Sequence, residues 1–532
     1  MSRSAPWERF QKNNLAIREL GLTIDLARMD IDDTFLAAMR PRMDQALEAM
    51  ARLEAGAIAN PDEGRMVGHY WLRDPARAPT PEIAEAIERT VADIESFAEA
   101  VHGGRIRPQR ADAFDVVLVI GIGGSVLGPQ LLHDALGGDD AMVLAFLDNT
   151  DPDGIDGVLD ELDETPGRTL AVVISKSGGT KETRNAMLEV RHAYRQAGLS
   201  FPRHAVAVTT EGSPLHEQAR KEKWLRTFPM WDFVGGRTSV TSAVGLLPAA
   251  LQGLDIRALL DGAKACDELT RGTSIDDNPA ARLALAWYHA RNQRGLPNMV
   301  VLPYRDRLAG LSRYLQQLVM ESLGKERNRK GEAIHHGLTV YGNKGSTDQH
   351  ALVQQLRDGP ADFFVHFLTV WKDRRRPHSL FVEDEVTTGD YLHACYLGTR
   401  EALAERGRPS LTITLDDVDA FHLGVLIALY ERTVGLYAEL MDLNAYDQPG
   451  VEAGKRAAQH AIDLQRRLLA YLRTHPEATP TATELAESLG RREEIETIVY
   501  LLRHLCRDGE GRIECLDDPN CPDARFRYAE KA

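Results

Sequence analysis

A chain of 532 residues is longer than one hydrophobic core usually organises, so two or three domains are expected. Its net charge of -16 argues against a nucleic-acid or membrane-surface protein as a whole, because that needs a basic face, but leaves room for a small phosphorylated ligand. Five cysteines without a CxxC pair give neither a disulfide framework nor a zinc site, and with no apolar leader and no apolar run near the roughly 18 residues of a membrane span, an unexported cytoplasmic protein is expected.

Residues 1–105 are mostly helical in pattern, with Ala, Met and Leu spacing across Phe35 to Leu53 and again from Pro81 to Val101, and are expected to form an N-terminal helical cover. From Asp115 the texture changes to short apolar runs separated by helical stretches: Val116 to Ile120, Met142 to Leu147, Leu170 to Ile174 and His204 to Val208. Continuous apolar runs alternating with helices predict a parallel sheet buried on both faces. A second series begins near Pro297, with Asn298 to Pro303, Phe363 to Leu368 and Ser410 to Leu415. The predicted fold class is α/β, with two doubly wound parallel-sheet domains at residues 106–285 and 286–455. After Lys455 a polar helix runs to Leu472 and Thr474 to Pro480 reads as a linker. Residues 456–532 end in two helices and a two-stranded wing, Arg512 to Leu516 with Arg525 to Tyr528, a small α+β module that resembles a winged helix. Its second helix opens with charges of alternating sign, so packing or subunit contact fits better than DNA recognition.

The chemistry concentrates in the turns. Ser175-Lys176-Ser177-Gly178-Gly179-Thr180 lies between a strand and a helix, and its hydroxyls, ammonium and helix-start position can surround an oxyanion with donors. Gly121 to Pro129, after the first strand, is not a dinucleotide fingerprint, since Val126 stands where a glycine would be required. Its glycines, Gly124 among them, let backbone approach a ligand, and Ser125 offers a hydroxyl there. Asp148, at the next strand's end, is placed to mimic a ribose-binding acid. Gly235-Gly236-Arg237 sets an arginine in a tight turn, either as a surface salt bridge or close to substrate. Gln317 and Glu321 fall one turn apart beside the apolar face of Leu315, Leu318, Val319 and Ser322; Glu321 is either ion-paired to Lys325 or a desolvated base. His350, Gln448 and Lys455 complete the candidates, and no metal-ligand spacing is found.

These segments together resemble the glucose-6-phosphate isomerase family. Gly121 to Pro129, Ser175 to Thr183, Gly235 to Pro248, Gln316 to Ser322, Asp348 to His350 and Asp447 to Lys455 occur in that family's order, over about residues 60 to 455. The resemblance implies two sugar-isomerase (SIS) domains, a phosphosugar substrate, no metal or organic cofactor, and a homodimer with the active site at the interface. By motif, Ser175, Lys176, Ser177 and Thr180 would bind the phosphate, with Gly124 and Ser125 nearby. Glu321 would be the base, and Arg237 with the backbone at Gly236 would stabilise an enediolate. Gln317 and Gln448 would orient hydroxyls, while His350, reaching over from the neighbouring subunit, and Lys455 would open the ring. Gly179 departs from the family, which often has a hydroxyl there; Leu323 and the Asp148 to Asp151 strand end depart too, and residues 456–532 are expected to lie outside the usual isomerase. Two alternatives follow: a dual glucose/mannose phosphate isomerase, or a non-catalytic phosphosugar sensor.

Overall fold

In the computed structural model, which describes residues 5–138, 141–162, 166–375 and 379–529, the N-terminal segment adds strands to its helices. Leu22-Thr23-Ile24-Asp25-Leu26 alternates apolar and polar residues at the strand period, and it forms β2 (Leu22–Arg28), paired antiparallel with β1 (Asn14–Ile17). Helix α1 (Asp33–Glu54) follows, its first turn capped by Asp32 and its Leu36, Met39, Met43, Leu47 and Met50 buried at helical spacing. Helix α2 (Pro81–His102) repeats the pattern with Ile87, Val91, Ile94 and Val101.

The first large sheet contains β3 (Val116–Ile120), β4 (Val143–Leu147), β5 (Thr169–Ile174), β6 (Ala205–Thr209) and β7 (Arg226–Pro229), all parallel, in the order β4-β3-β5-β6-β7. Both faces are covered: Val117 and Val119 enter the main core, and Leu118 and Ile120 enter a second cluster. This is why the strands read as unbroken apolar runs. After β3 comes α3 (Gly124–Leu136) and after β5 comes α4 (Lys181–Gln196). From β3 the chain goes to β4 on one side and returns to β5 on the other, so the loops ending β3 and β5 flank a topological switch point, where α/β sheets characteristically bind ligands.

The second sheet has the order β1-β2-β11-β10-β8-β9, with β8 (Asn298–Pro303), β9 (Thr339–Tyr341), β10 (Phe363–Val370) and β11 (Ser410–Leu415) parallel, and β2 antiparallel to β11. The N-terminal hairpin thus covers what would otherwise be the exposed edge of β11. This sheet has its own switch point between β8 and β10. Helix α5 (Leu311–Leu315) continues as a π-helix, Gln316–Glu321, a local widening that recurs at functional sites. Beneath it Tyr314 donates to Glu431 at 3.3 Å, and Glu431 belongs to a fully buried ion cluster with Arg73, Asp267 and Arg432. Helices α6 (Thr388–Ala404) and α7 (Ala420–Leu440) flank β11 in sequence.

The chain divides into two compact units, Met1–Asp447 and Gln448–Ala532. The second contains α8 (Pro449–Thr474), two shorter helices, Ala482–Ser488 and Ile495–Leu505, and an antiparallel pair, Ile513–Cys515 with Phe526–Tyr528. Leu468, Leu472, Leu485, Ile498, Leu502 and Phe526 form its own small core. No described helix is long and apolar enough to cross a membrane.

Candidate active site

Three backbone segments converge at the first switch point. Gly123 sits at φ 57°, ψ -124°, and a Cβ there would lie 3.2 Å from Gln317 Nε2. A Cβ on Gly124 would stand 2.1 Å from the Gly236 carbonyl oxygen, so only glycine lets α3 begin against the arginine turn. Ser239 fastens the contact, its hydroxyl donating to the Gly236 oxygen at 2.7 Å and to the Gly124 oxygen at 3.3 Å. The start of α3 with Ser125, the turn with Arg237 and the π-helix with Gln317 are thereby neighbours.

The Ser175 to Thr180 loop is shaped mainly by its own hydrogen bonds. Ser175 Oγ donates to Thr180 Oγ1 at 3.1 Å, Ser177 Oγ accepts the Gly179 N–H at 3.2 Å, and Thr209 on β6 donates to the Ser175 carbonyl at 2.6 Å. Gly178 has φ 65°. Thr180 is the N-cap residue of α4 but makes no side-chain cap, which leaves helix-start N–H groups for an anion. Lys176 departs from the expectation that its ammonium faces the phosphate. It donates instead to the carbonyls of Asp232 at 2.9 Å and Val234 at 2.8 Å, tying the loop to the arginine turn. Burial, with Arg65 nearby, pulls this lysine down to about 8.

Glu321 does not pair with Lys325, its i+4 neighbour. Lys325 is held by Asp447, 2.5 Å from its carboxylate oxygen and 2.8 Å from its carbonyl. Glu321 Oε2 lies 3.3 Å from Arg237 Nε, yet it is buried and forms no hydrogen bond. The helix ends before Lys325 is reached: Gly324 breaks it and Lys325 opens a short strand, Lys325–Arg327, so the two residues share no helical stripe. Arg237 is buried, with Nη1 donating to the Ala445 carbonyl at 2.9 Å and Ser322 Oγ at 3.3 Å, and Nη2 to the Asp447 carbonyl at 3.0 Å. Burial lowers its pKa, and Glu321 and Asp447 oppose the shift. A fixed guanidinium beside a carboxylate that retains a free lone pair is suited to removing a proton α to a carbonyl.

Other candidates lie elsewhere. Asp348 is buried and accepts the Asn343 N–H at 2.8 Å, while Gln349 donates to the Cys395 carbonyl at 2.8 Å. These inward anchors leave His350 exposed at the end of a short turn, Thr347–His350, with no side-chain hydrogen bond among the described residues. Gln448 and Lys455 belong to the second unit, where Lys455 pairs with Glu452 at 2.8 Å. Asp148 accepts from Gln130 at 3.1 Å. Sequence reading did not assign roles to Ser322 and Asp447, which hold Arg237. Both lie inside runs already singled out, at Gln316 to Ser322 and Asp447 to Lys455.

A phosphoglucose isomerase family model matches residues 25–470. A glucose-6-phosphate isomerase of Geobacter sulfurreducens is 59% identical over 500 residues, covering 94% of each chain. One of Citrifermentans bemidjiense is 54% identical over 528 residues, covering 99% of each, so the C-terminal segment expected to lie outside the usual isomerase is shared with this relative. The solved structure of a glucose-6-phosphate isomerase from Chlamydia trachomatis superposes with a TM-score of 0.79 at 28% identity, covering 87% of this chain and 92% of that one.

Proposed function

This chain belongs to the phosphoglucose isomerase family, and from that premise we propose that it interconverts D-glucose 6-phosphate and D-fructose 6-phosphate through a cis-enediolate, with Glu321 as the base. The two sheets are its SIS domains. Ser175, Ser177 and Thr180 hold the substrate phosphate at the start of α4, with Lys176 contributing charge from behind the loop. Ser125 and the backbone of Gly124 and Gly236 meet the sugar. Glu321 takes the proton from C2 of the open-chain aldose and returns it to C1, and Arg237 stabilises the enediolate oxygen between the two transfers. Gln317 and Gln448 orient hydroxyls. Lys455 of the same chain, together with His350 of the partner subunit, opens the ring, in a cytoplasmic homodimer.

The observation that carries this reading is the Glu321 carboxylate, 3.3 Å from Arg237 Nε with one buried oxygen outside any hydrogen bond. A non-catalytic sensor needs the phosphate loop but has no use for this pair. The test follows solvent deuterium into C2 of the substrate. Glu321→Gln is expected to lose exchange and turnover together, by about a thousandfold, while still binding fructose 6-phosphate. Exchange at the wild-type rate in that variant would show that Glu321 is not the base.

A further inference from the structure

The second switch point is lined quite differently from the first. The strands β8, β10 and β11 run parallel, and the chain leaves their carboxyl ends through Arg305 and Arg307, Lys372 to Arg375, and Asp417 with Val418. These segments enclose a cavity of about 620 Å³, within the range that takes small organic ligands. Its lining carries two more cations than carboxylates: Arg305, Arg307, Lys372, Arg374 and Arg375 face Asp306, Asp373 and Asp417. That local excess stands against the overall charge of -16.

The arginines are held without being neutralised. Arg305 donates to the carbonyls of Lys372, at 2.6 Å, and Asp373; Arg307 donates to the Val418 carbonyl at 2.7 Å; Arg375 donates to the Gly137 carbonyl at 2.7 Å. Arg374 donates to the Thr388 hydroxyl at 3.2 Å. None of the four forms an ion pair among the described residues, whereas Asp306 is taken by Lys344 and Asp417 by Lys372. The Nε atoms of Arg305 and Arg307 are buried and have no hydrogen-bond partner among the described residues. Burial first, and then the neighbouring Arg375, bring Arg307 down to about 10, with Asp417 opposing the shift. Carbonyl anchors fix guanidinium groups in place without cancelling their charge, so the crevice is prepared for an anion.

We propose that this crevice is a second anion site, separate from the Ser175 to Thr180 loop, that takes the phosphate group of a small phosphorylated metabolite or free inorganic phosphate. It does not depend on the assignment of Glu321 as base. Full-length protein titrated calorimetrically with inorganic phosphate at low ionic strength is expected to show two sites. Lys372→Ala/Arg374→Ala, which alters only solvent-exposed side chains and so keeps the fold, should weaken one site about tenfold and spare the other. Ser177→Ala/Thr180→Ala should do the reverse. Glycerol 3-phosphate as a second titrant separates the sources: tighter binding than phosphate at the Lys372 site assigns a phosphate ester, and equal or weaker binding assigns the free ion. A single phosphate site in wild type, or two sites that both survive Lys372→Ala/Arg374→Ala unchanged, overturns the proposal.

Discussion

The two sheets present the same topological opening and equip it by different means. At the first, the chain supplies glycine, serine and threonine, backbone N–H groups at helix starts, and one arginine set against a carboxylate. At the second it supplies long cationic side chains pinned by carbonyl oxygens. Short neutral donors fixed by backbone contacts define where a ligand's atoms lie to within fractions of an ångström, which a proton transfer between adjacent carbons demands. The pinned guanidinium groups act mainly through charge, which attracts an anion over a longer range and is screened by salt. On the proposed reading, one architecture thus serves a proton transfer at one opening and anion binding at the other.

One added methyl group at each opening should have very different effects. Gly124→Ala places its Cβ 2.1 Å from the Gly236 carbonyl oxygen, a backbone atom that cannot move without shifting the arginine turn. Its kcat/KM is expected to fall about a hundredfold, since displacing catalytic groups by about an ångström costs that much. Gly389→Ala at the second opening places its Cβ 2.2 Å from Asp373 Oδ2, the end of a side chain that can rotate aside. It should leave kcat/KM unchanged. Equal losses in the two variants would mean that close backbone approach is not what distinguishes the first site.

Much of this contrast could be read from the chain, and the failures have physical causes. The buried parallel strands were legible because Val and Ile runs such as Val116 to Ile120 must be covered on both faces. The glycine and hydroxyl turns stood out only as an ordered set along the chain, because taken singly a Ser, Thr and Gly turn between a strand and a helix most often just caps the helix. The strand β2 was missed although Leu22, Ile24 and Leu26 alternate with Thr23 and Asp25, because the long helices beside it dominate the local texture. The helix was read as running on through Lys325, which made that lysine look like the i+4 partner of Glu321; it stops before Gly324, Lys325 enters a strand, and folding supplied Arg237 to Glu321 and Asp447 to Lys325. The tether from Lys176 to Asp232 and Val234 likewise depends on tertiary contact. The basic crevice was invisible because its five cations are spread from Arg305 to Arg375 in an acidic chain.

A smaller effect separates the openings by pH. Burial pulls Lys176 down to about 8, so its ammonium is charged below that pH and loses its charge above it, and with it the attraction proposed for the substrate phosphate. KM for fructose 6-phosphate should therefore rise a few-fold, about two- to fourfold, as pH climbs from 7 to 9. Lys176→Arg, which stays charged throughout, should flatten the rise. The arginines of the second crevice keep most of their charge over this range, and binding there of glycerol 3-phosphate, an ester whose second ionisation at about pH 6 is already largely complete at pH 7, should hardly change. A KM profile that is flat in wild type would reduce Lys176 to a structural tether.

The smallest expected change tests the phosphate loop at its least typical residue. Gly178 and Gly179 are adjacent, but only Gly178 must be glycine: its φ is 65°, and a Cβ would lie 2.7 Å from the Leu215 backbone nitrogen. Gly179 has no positive φ, and the nearest atom to a Cβ there is Ser177 Oγ at 3.9 Å. Gly179→Thr therefore fits without strain and adds a hydroxyl beside the N–H groups that open α4. KM should fall about twofold at constant kcat with Tm unchanged, the yield of one additional exposed donor to a phosphate already held by several. Gly178→Ala in the same assay should raise KM and lower Tm. If Gly179→Thr raises KM instead, the space above Gly179 is occupied by the bound phosphosugar, and the missing hydroxyl is an accommodation to it.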